Sequence, residues 1–367
     1  MKTRFFRFLT CALGLLAFTM PLFSQPKLVD ATSKVEYAIE WHLNGGTQNK
    51  ANTDTYTAED GLVLATPTRA GYTFDGWFVN ADLSGNKVTA IAKGETQKKT
   101  FYAGWVITKE QAIKIMQEEM VTVIPKGKKT NLDDFAGTEG TLVINAYEIA
   151  KHEVTQELYM AVMGANPSYF KNNPASGEVQ EKRPVESVSW YDAVYFCNKL
   201  SMLMGLTPAY SVDGQTDPDK WSYVPHKGNS IRSEVICDYG ARGFRLPTEG
   251  EWEMAARGGV AGGWDYTYAG SNNIDEVAWY YGNSYDNDSY KTHEVGKKKP
   301  NALGLYDMSG NVWEWCDNLY SSSSSYRVYR YGCYYDGDYY CTVSYRSYNN
   351  PSNWNDRLGF RVARSAQ

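Results

Sequence analysis

The 367-residue sequence predicts an α+β protein with short strands, few helices and much irregular structure. Glycine and tyrosine are abundant, with 32 and 29 copies, which favours a loop-rich fold over a helical bundle. Short apolar runs are repeatedly interrupted by glycine, as is typical of strands in small β-domains. Only a few segments combine capping residues with the apolar spacing of a helix. The length allows two or three domains.

The N-terminus predicts export from the cytoplasm. Three basic residues precede an apolar run from Phe8 to Phe23, a pattern typical of a secretory signal peptide over residues 1–24. The alternative is a single membrane anchor, which fits less well because the run is short and Pro21 interrupts it. No later segment is apolar enough to span a membrane. We therefore expect the protein at the cell surface, in the periplasm or secreted.

Cysteine count and charge argue against several classes of protein. Cleavage of the signal would leave five cysteines at scattered spacings: Cys197, Cys237, Cys316, Cys333 and Cys341. An odd number is no disulfide framework, and no Cys or His spacing suggests zinc. The net charge of −5 argues against a broad nucleic-acid-binding surface.

Residues 35–106 form a first unit of short strand-like runs. "VEYAIEWHLNGG", "GYTFDGWF" and "KTFYAGW" each end at or contain glycine. These motifs resemble the internalin B-type repeat, also called the Listeria–Bacteroides repeat. The resemblance implies a small β-grasp-like module of secreted and surface proteins, with a spacer or adhesion role.

Helices are predicted from their capping residues. Residues 107–119 are predicted to form a linker helix, which Thr108 can cap with Gln111 three residues later. The second unit, residues 120–366, contains three further helices with a start and a stop signal: Thr155 to Gly164, Ser189 to Gly205 and Thr248 to Gly258.

Five ordered motifs span the second unit: "YEIAKHEVTQELYMAVMG", "RPVESVSWYDAVYFCNKLS", "GFRLPTEGEWEMAARGG", "NALGLYDMSGNVWEWCDN" and "LGFRVARS". Together they resemble the formylglycine-generating enzyme family, also called the sulfatase-modifying factor family. The resemblance implies a variant of the C-type-lectin fold with much irregular structure. It also implies a structural calcium site at Asp307, Glu314 and the carbonyls of Gly310 and Val312, since oxygen ligands suit this hard cation.

The catalytic pattern of that family is incomplete. Its enzymes oxidise a sulfatase cysteine with O₂ and use two cysteines, five residues apart, to bind copper(I). Here Cys341 matches the second position, but Asp336 stands at the first. A hard carboxylate cannot replace a thiolate on copper(I), and Cys333 is eight residues from Cys341, so copper is not expected. No catalytic residue is predicted with conviction; Cys341 would be one only if the protein were an enzyme.

The segment 327–357 keeps the residues that frame this region in the family, but the positions between them have an unusual amino-acid composition. Tyr, Ser, Asp, Gly and Cys stand where relatives commonly have Asn or small residues. Mutating adenines in Asn codons gives such residues, so the segment resembles that of the variable proteins of diversity-generating retroelements. Tyrosine provides large, rigid contacts at low entropic cost, whereas a strand-rich core edge would explain the tyrosines alone. The predicted ligand contacts are Tyr329, Tyr331, Cys333, Tyr334, Tyr335, Asp336, Asp338, Tyr339, Tyr340, Tyr345, Ser347, Tyr348 and Trp354.

The sequence therefore predicts an exported, non-catalytic ligand-binding protein, whose ligand is a protein or a glycan. Two alternatives stay open at this point. One is a formylglycine-generating oxidoreductase that matures sulfatases, with Cys341 as its surviving catalytic residue. The other is a structural protein of the cell envelope.

Overall fold

The computed structural model of the chain describes residues 34–133, 141–261 and 265–366. The predicted signal peptide, residues 1–24, lies outside the described residues. Two units follow one another along the chain, and each has its own hydrophobic core. The α+β prediction is confirmed, because a few short helices accompany several small sheets.

The first unit is built around a small mixed sheet. Its six strands are β1 Glu36–His42, β2 Thr55–Thr57, β3 Leu62–Val63, β4 Tyr72–Phe78, β5 Ala90–Ile91 and β6 Lys99–Ile107. Four of them form a sheet in the order β2-β1-β6-β4, in which β1 and β6 are parallel. Aromatic side chains fill its core, where Trp41 packs on Trp77 and Phe101 with ring centroids 4.8 and 5.4 Å apart.

Helix α1, Lys109–Glu119, begins where the sequence predicts. The Thr108 hydroxyl accepts a hydrogen bond from the Gln111 amide and so caps the helix. Ala112 and Met116 are fully buried in the main core of the second unit. The helix thus joins the two units and packs into the core of the second one.

The two units touch through polar contacts beside this helix. The Tyr72 hydroxyl donates to the Glu157 carboxylate over 2.7 Å, and Arg69 pairs with Glu181 at 3.3 Å. The Arg69 guanidinium also lies 3.6 Å above the centre of the Tyr72 ring. These contacts tie the repeat to the start of the second unit.

The second unit has many short elements. Its strands are β7 Met120–Asp133, β8 Thr141–Ala150, β9 Tyr210–Val212, β10 Val235–Cys237, β11 Tyr285–Asp286, β12 Ser289–Tyr290, β13 Trp313–Leu319, β14 Arg327–Arg330, β15 Arg346–Asn349, β16 Leu358–Gly359 and β17 Ala363–Ser365. Its helices are α2 Gln156–Met163, α3 Trp190–Leu203, α4 Glu249–Ala256 and α5 Ile274–Val277, together with 3₁₀ turns at Gln180–Lys182, Pro218–Lys220, Gly259–Ala261 and Asp338–Cys341.

Two sheets organise this unit. One has the order β17-β8-β7, so that the last strand of the chain returns to the first hairpin of the unit. The other has the order β15-β14-β13-β16, and β13 runs parallel to β16. Helices α3 and α4 place Trp190 and Trp252 in the core, where Trp315 of β13 is also fully buried.

The predicted helix caps are confirmed. Thr155 caps α2, which ends at Gly164 in a left-handed conformation with φ +73°. Ser189 and Thr248 each form a capping box, with Asp192 and Glu251 as the reciprocal partners. The four-residue helix α5 is not predicted, because it is too short to show a helical period.

Candidate functional site

The tyrosine-rich segment 327–357 is built on three strands. β14 pairs antiparallel with β13 and with β15, so the segment begins in the sheet and returns to it at Arg346–Asn349. Between β14 and β15 the chain leaves the sheet as a long loop that contains the 3₁₀ turn Asp338–Cys341. The loop side chains are therefore presented from a rigid frame.

Two arginines fix this frame to helix α4. The Arg330 guanidinium is fully buried and pairs with the carboxylates of Glu249 and Glu253, each at 2.7 Å. Arg346 makes a second, bidentate pair with Glu249, at 2.7 and 2.8 Å. Buried pairs of this kind hold a specific arrangement, because removing either partner leaves an unpaired charge in the interior. Sequence reasoning did not identify the two glutamates.

The stretch "RLPTEGEWE" also helps to fix the position of helix α4. Arg245 and Glu251 form an ion pair, with nitrogen–oxygen distances of 2.6 and 2.7 Å. The same Glu251 carboxylate closes the capping box at the start of α4. These residues position the helix that holds Arg330.

Six of the predicted contact residues are exposed: Tyr335, Asp338, Tyr339, Tyr340, Tyr348 and Trp354. Tyr339 is 68% exposed and Trp354 is 52% exposed, which is unusual for such large side chains. The rings of Tyr339, Tyr340 and Tyr345 meet edge to face, with centroids 5.1 to 5.6 Å apart. The structure thus gathers aromatic surface that can contact a ligand.

Four predicted contact residues are half-buried: Tyr329, Asp336, Tyr345 and Ser347. Tyr329 packs against Trp313 and Trp315, at ring distances of 4.9 and 5.6 Å. Tyr345 links this layer to the surface, since it also contacts Trp313. These side chains support the exposed rings from below.

The other three predicted contact residues, Tyr331, Cys333 and Tyr334, are buried in this structure, which corrects their assignment to the surface. The Tyr331 ring lies 3.7 Å from the Trp252 ring. Tyr334 packs edge-on against Phe170, and its hydroxyl donates to Asp356 over 3.0 Å.

The physical reason for their burial is backbone conformation. Burial alternates along β14 up to Arg330, as a strand requires. Tyr331 and Gly332 then both have positive φ, +88° and +62°. Two left-handed residues in a row end the alternation and turn the following side chains inward.

The thiol chemistry does not fit copper(I). The Cys333 Sγ lies 3.0 Å from a carboxylate oxygen of Asp336, which also accepts from the Cys333 amide. Burial raises the pKa of the Cys333 thiol, and the Asp336 carboxylate raises it further. Burial likewise raises the pKa of the Cys341 thiol. The copper(I) pair of the family needs two soft thiolates, and its first position holds the Asp336 carboxylate, to which the Cys333 thiol donates.

The predicted calcium ligands fit poorly as well. Both carboxylate oxygens of Glu314 accept from the buried Arg361 guanidinium, at 2.6 and 2.7 Å, and one also accepts from the Trp252 indole. A second cation at Glu314 would be repelled by this guanidinium. Within the described ranges, no three His, Cys, Asp or Glu side chains are grouped as metal ligands.

Asp307 is the remaining side chain of that predicted site. One of its oxygens accepts from the Gly296 amide over 2.7 Å, and the other is buried without a hydrogen-bond partner. Burial raises the pKa of Asp307. Of the two predicted carboxylates, Asp307 therefore keeps one open oxygen and Glu314 keeps none, so the carbonyls of Gly310 and Val312 would have to supply most of the protein ligands.

Sequence reasoning missed an aromatic cluster next to the segment. Tyr281, Tyr285 and Tyr290 lie on and before the hairpin β11–β12, and Tyr281 and Tyr290 contact Tyr335 at ring distances of 5.8 and 5.2 Å. Tyr281 and Tyr285 are both exposed. The density of tyrosine between residues 280 and 290 was the available signal.

The exposed side chains of the segment form a surface. Two cavities, of about 550 and 320 Å³, are lined by residues of other parts of the fold. None of their lining residues belongs to the segment 327–357. Small ligands usually need a concave site, so this surface suits a macromolecular partner.

Comparison with known proteins identifies both units. Residues 107–366 match the model of the sulfatase-modifying factor enzyme 1-like domain. The chain belongs to the sulfatase-modifying factor family. Residues 37–104 match the Listeria-Bacteroides repeat domain, as the sequence predicts. In the described part of this family member, no helix has both the length and the apolar character needed to cross a membrane.

The names of two relatives indicate different functions. The chain is 37% identical over 268 residues to the chaperone protein LppX of Paenibacillus barcinonensis, covering 68% of this chain and 90% of the relative. It is 37% identical over 149 residues to a formylglycine-generating enzyme of Streptomyces coelicolor, covering 34% of this chain and 48% of that enzyme.

A solved structure is similar over the same region. Treponema denticola variable protein 1 superposes with a TM-score of 0.58 and 40% sequence identity, covering 67% of this chain and 94% of that protein. The second unit thus has the formylglycine-generating-enzyme type of C-type-lectin-like fold, and its predicted likeness to variable proteins is confirmed.

Proposed function

We propose that the protein is a non-catalytic ligand-binding protein of the cell surface or envelope. Its second unit serves as a rigid scaffold, and the exposed tyrosines of segment 327–357 make the contacts. The observation that carries this proposal is the combination of a buried arginine–glutamate frame with exposed rings such as Tyr339. Rigid scaffolds with exchangeable aromatic contacts are how recognition surfaces are commonly built.

The ligand is proposed to be a protein, with a glycan as the second possibility. An exposed aromatic surface of this kind can bury a large area against a macromolecule. Tyrosine is enriched at the centres of protein interfaces. The relative LppX is named as a chaperone protein, which supports a role in binding.

The oxidoreductase alternative depends on Cys341. That thiol is buried in a small cluster with Tyr268 and Val277, and burial raises its pKa. Its expected copper partner is replaced by Asp336, which accepts from the Cys333 amide instead. Neither feature favours copper(I) chemistry or attack on a peptide cysteine.

Diversification of the segment is proposed on the same basis. The similarity to Treponema denticola variable protein 1 supports it. An adjacent reverse transcriptase gene is expected, together with a near-copy of the codons for residues 327–364 that differs only at adenines. Absence of both from the surrounding genome would remove the diversification proposal.

The Listeria-Bacteroides repeat supports placement outside the cytoplasm. In this proposal the signal peptide over residues 1–24 exports the chain, and the repeat spaces or attaches the binding unit. Fractionation of the native cells, followed by N-terminal sequencing of the mature protein, tests this. A cytoplasmic protein that retains Met1 would contradict export.

One assay tests the catalytic alternative. The protein is titrated anaerobically with copper(I) and then given O₂, a thiol reductant and a cysteine-containing sulfatase peptide, with the Streptomyces coelicolor enzyme as the positive control. We expect no tight copper site and no aldehyde product from this protein. Turnover to the aldehyde that is lost in Cys341→Ser would overturn the non-catalytic proposal.

A further inference from the structure

Two neighbouring loops share one sequence pattern. Residues 285–290 read Tyr-Asp-Asn-Asp-Ser-Tyr, and residues 335–340 read Tyr-Asp-Gly-Asp-Tyr-Tyr. Both have the form Tyr-Asp-x-Asp-x-Tyr, although the first lies outside the segment 327–357. Neither contains a lysine or an arginine.

The fold brings the two loops together. The Tyr281 amide donates to the Asp336 carbonyl over 2.9 Å, which joins the base of the hairpin β11–β12 to the segment. Tyr290 stacks on Tyr281 with ring centroids 4.5 Å apart and meets the edge of Tyr335 at 5.2 Å. The two loops therefore share one continuous patch of tyrosine rings.

The two aspartates of each loop have different positions. The first one is half-buried and held inside the protein: Asp286 pairs with Lys291 at 3.0 Å, and Asp336 accepts from the Cys333 amide. The second one, Asp288 or Asp338, is exposed. Neither exposed carboxylate is in an ion pair with a described residue. Each loop thus presents tyrosine rings beside a carboxylate that is open to solvent.

An arginine of this same chain contacts the tyrosine patch. The Arg357 guanidinium lies 4.3 Å from the centre of the Tyr335 ring, within the range of a cation–π contact. Its plane can stack on a ring while its nitrogens donate to a carboxylate, which a lysine ammonium cannot do as well. The patch therefore has the chemistry for further guanidinium groups.

We infer that the two Tyr-Asp loops form one subsite, which binds arginine side chains in a basic segment of a partner protein. The inference rests on the proposed binding function and adds the chemical class of the contact. Charge complementarity carries it: exposed Asp288 and Asp338 would neutralise the guanidinium, and the tyrosine faces would cover it. Half of this subsite lies on the hairpin β11–β12, outside the segment 327–357.

Three short peptides test the subsite on the full chain: hexa-arginine, hexa-lysine and hexa-citrulline, each measured by calorimetry at physiological ionic strength. Citrulline has the shape of arginine without its charge. We expect hexa-arginine to bind, hexa-lysine to bind several-fold more weakly, and hexa-citrulline to bind at least about tenfold more weakly.

Matched variants locate the site. Asp288→Asn with Asp338→Asn should weaken hexa-arginine binding by about tenfold, since each exposed ion pair is worth up to about fivefold. Glu36→Gln with Glu59→Gln removes the same charge from exposed positions of the repeat and should change binding less than about twofold. Circular dichroism checks that both variants are folded.

Three outcomes would overturn the subsite: no binding of hexa-arginine, equal binding of hexa-citrulline, or an equal loss in the two variant pairs. The last outcome would mean that only the overall charge matters. Failure here removes the arginine subsite alone. The non-catalytic proposal is tested separately by the aldehyde assay, whose readout depends on Cys341 and not on Asp288 or Asp338.

Discussion

Two adjacent stretches of the segment are composed of similar residues but have opposite environments. The inner stretch, Tyr331–Tyr334, is buried against Trp252 and Phe170. The outer stretch, Tyr335–Tyr340, carries rings that are up to 68% exposed. The backbone turn at Tyr331 and Gly332 begins the inner stretch and directs its side chains inward, so composition alone does not decide burial. A tyrosine-rich sequence can therefore supply both scaffold and contact surface within ten residues.

The largest expected effect comes from breaking the frame that both stretches depend on. Arg330→Met leaves Glu249 and Glu253 without their buried partner, so the free energy of unfolding should fall by about 3–5 kcal/mol. Urea denaturation measures it. Arg357→Met, at a half-exposed arginine, is the control and should cost less than about 1 kcal/mol. Equal costs would mean that the buried frame is not what holds the segment.

The second prediction compares one substitution in the two stretches. Tyr334→Ser removes a buried ring and leaves a cavity, with an expected cost of about 3 kcal/mol. Tyr339→Ser removes an exposed ring and should change the free energy of unfolding by about 0.5 kcal/mol or less. Thermal and urea unfolding measure both. A similar loss in the two variants would contradict the division into inner and outer stretches.

A third prediction concerns pH and the support beneath the inner stretch. Glu186 accepts from the amides of Tyr169 and Phe170, and burial raises its pKa to about 7. Its folded pKa lies above its unfolded value, so its contribution is full below the unfolded pKa and is lost as the pH rises through about 7.

The variant Glu186→Gln isolates that contribution. Between pH 5 and pH 8 the wild type should lose on the order of 2 kcal/mol more stability than the variant does. Urea unfolding at several pH values measures the difference. Parallel stability curves for the two proteins would show that Glu186 does not titrate in this range.

The smallest expected effect tests the turn at the start of the inner stretch. Tyr331 has φ +88°, where residues with a side chain are strained by roughly 1–2 kcal/mol. Tyr331→Gly should therefore be more stable than Tyr331→Ala by about 0.5–1 kcal/mol, although glycine usually costs stability. Both remove the same ring, so each controls the other. A more stable alanine variant would show that the strain is absent.

Much of the fold was predictable from local signals. Helix starts could be predicted at Thr155, Ser189 and Thr248, because a capping residue and its partner lie within three residues of each other. Arg245 and Glu251 of the same motif are six residues apart and form an ion pair. The burial of α1 was missed, because its apolar face has no distinct partner in the sequence.

The site was predictable in position but not in detail. Ionic partners such as Arg330 and Glu249 are 81 residues apart, and no local pattern relates them. The hairpin tyrosines contact Tyr335 only because the Tyr281 amide reaches Asp336 across the fold. The predicted calcium ligand Glu314 is instead saturated by Arg361, 47 residues later in the chain.

The sequence by itself determined the family, the two units and the alphabet of the contact surface, because motifs and composition are local properties. Only the tertiary structure decided which side chains of this segment reach solvent. Burial depends on the path of the backbone, and here two left-handed residues, Tyr331 and Gly332, redirect it. Tyr334 and Tyr339 are the same residue five positions apart, yet one is core and the other is surface.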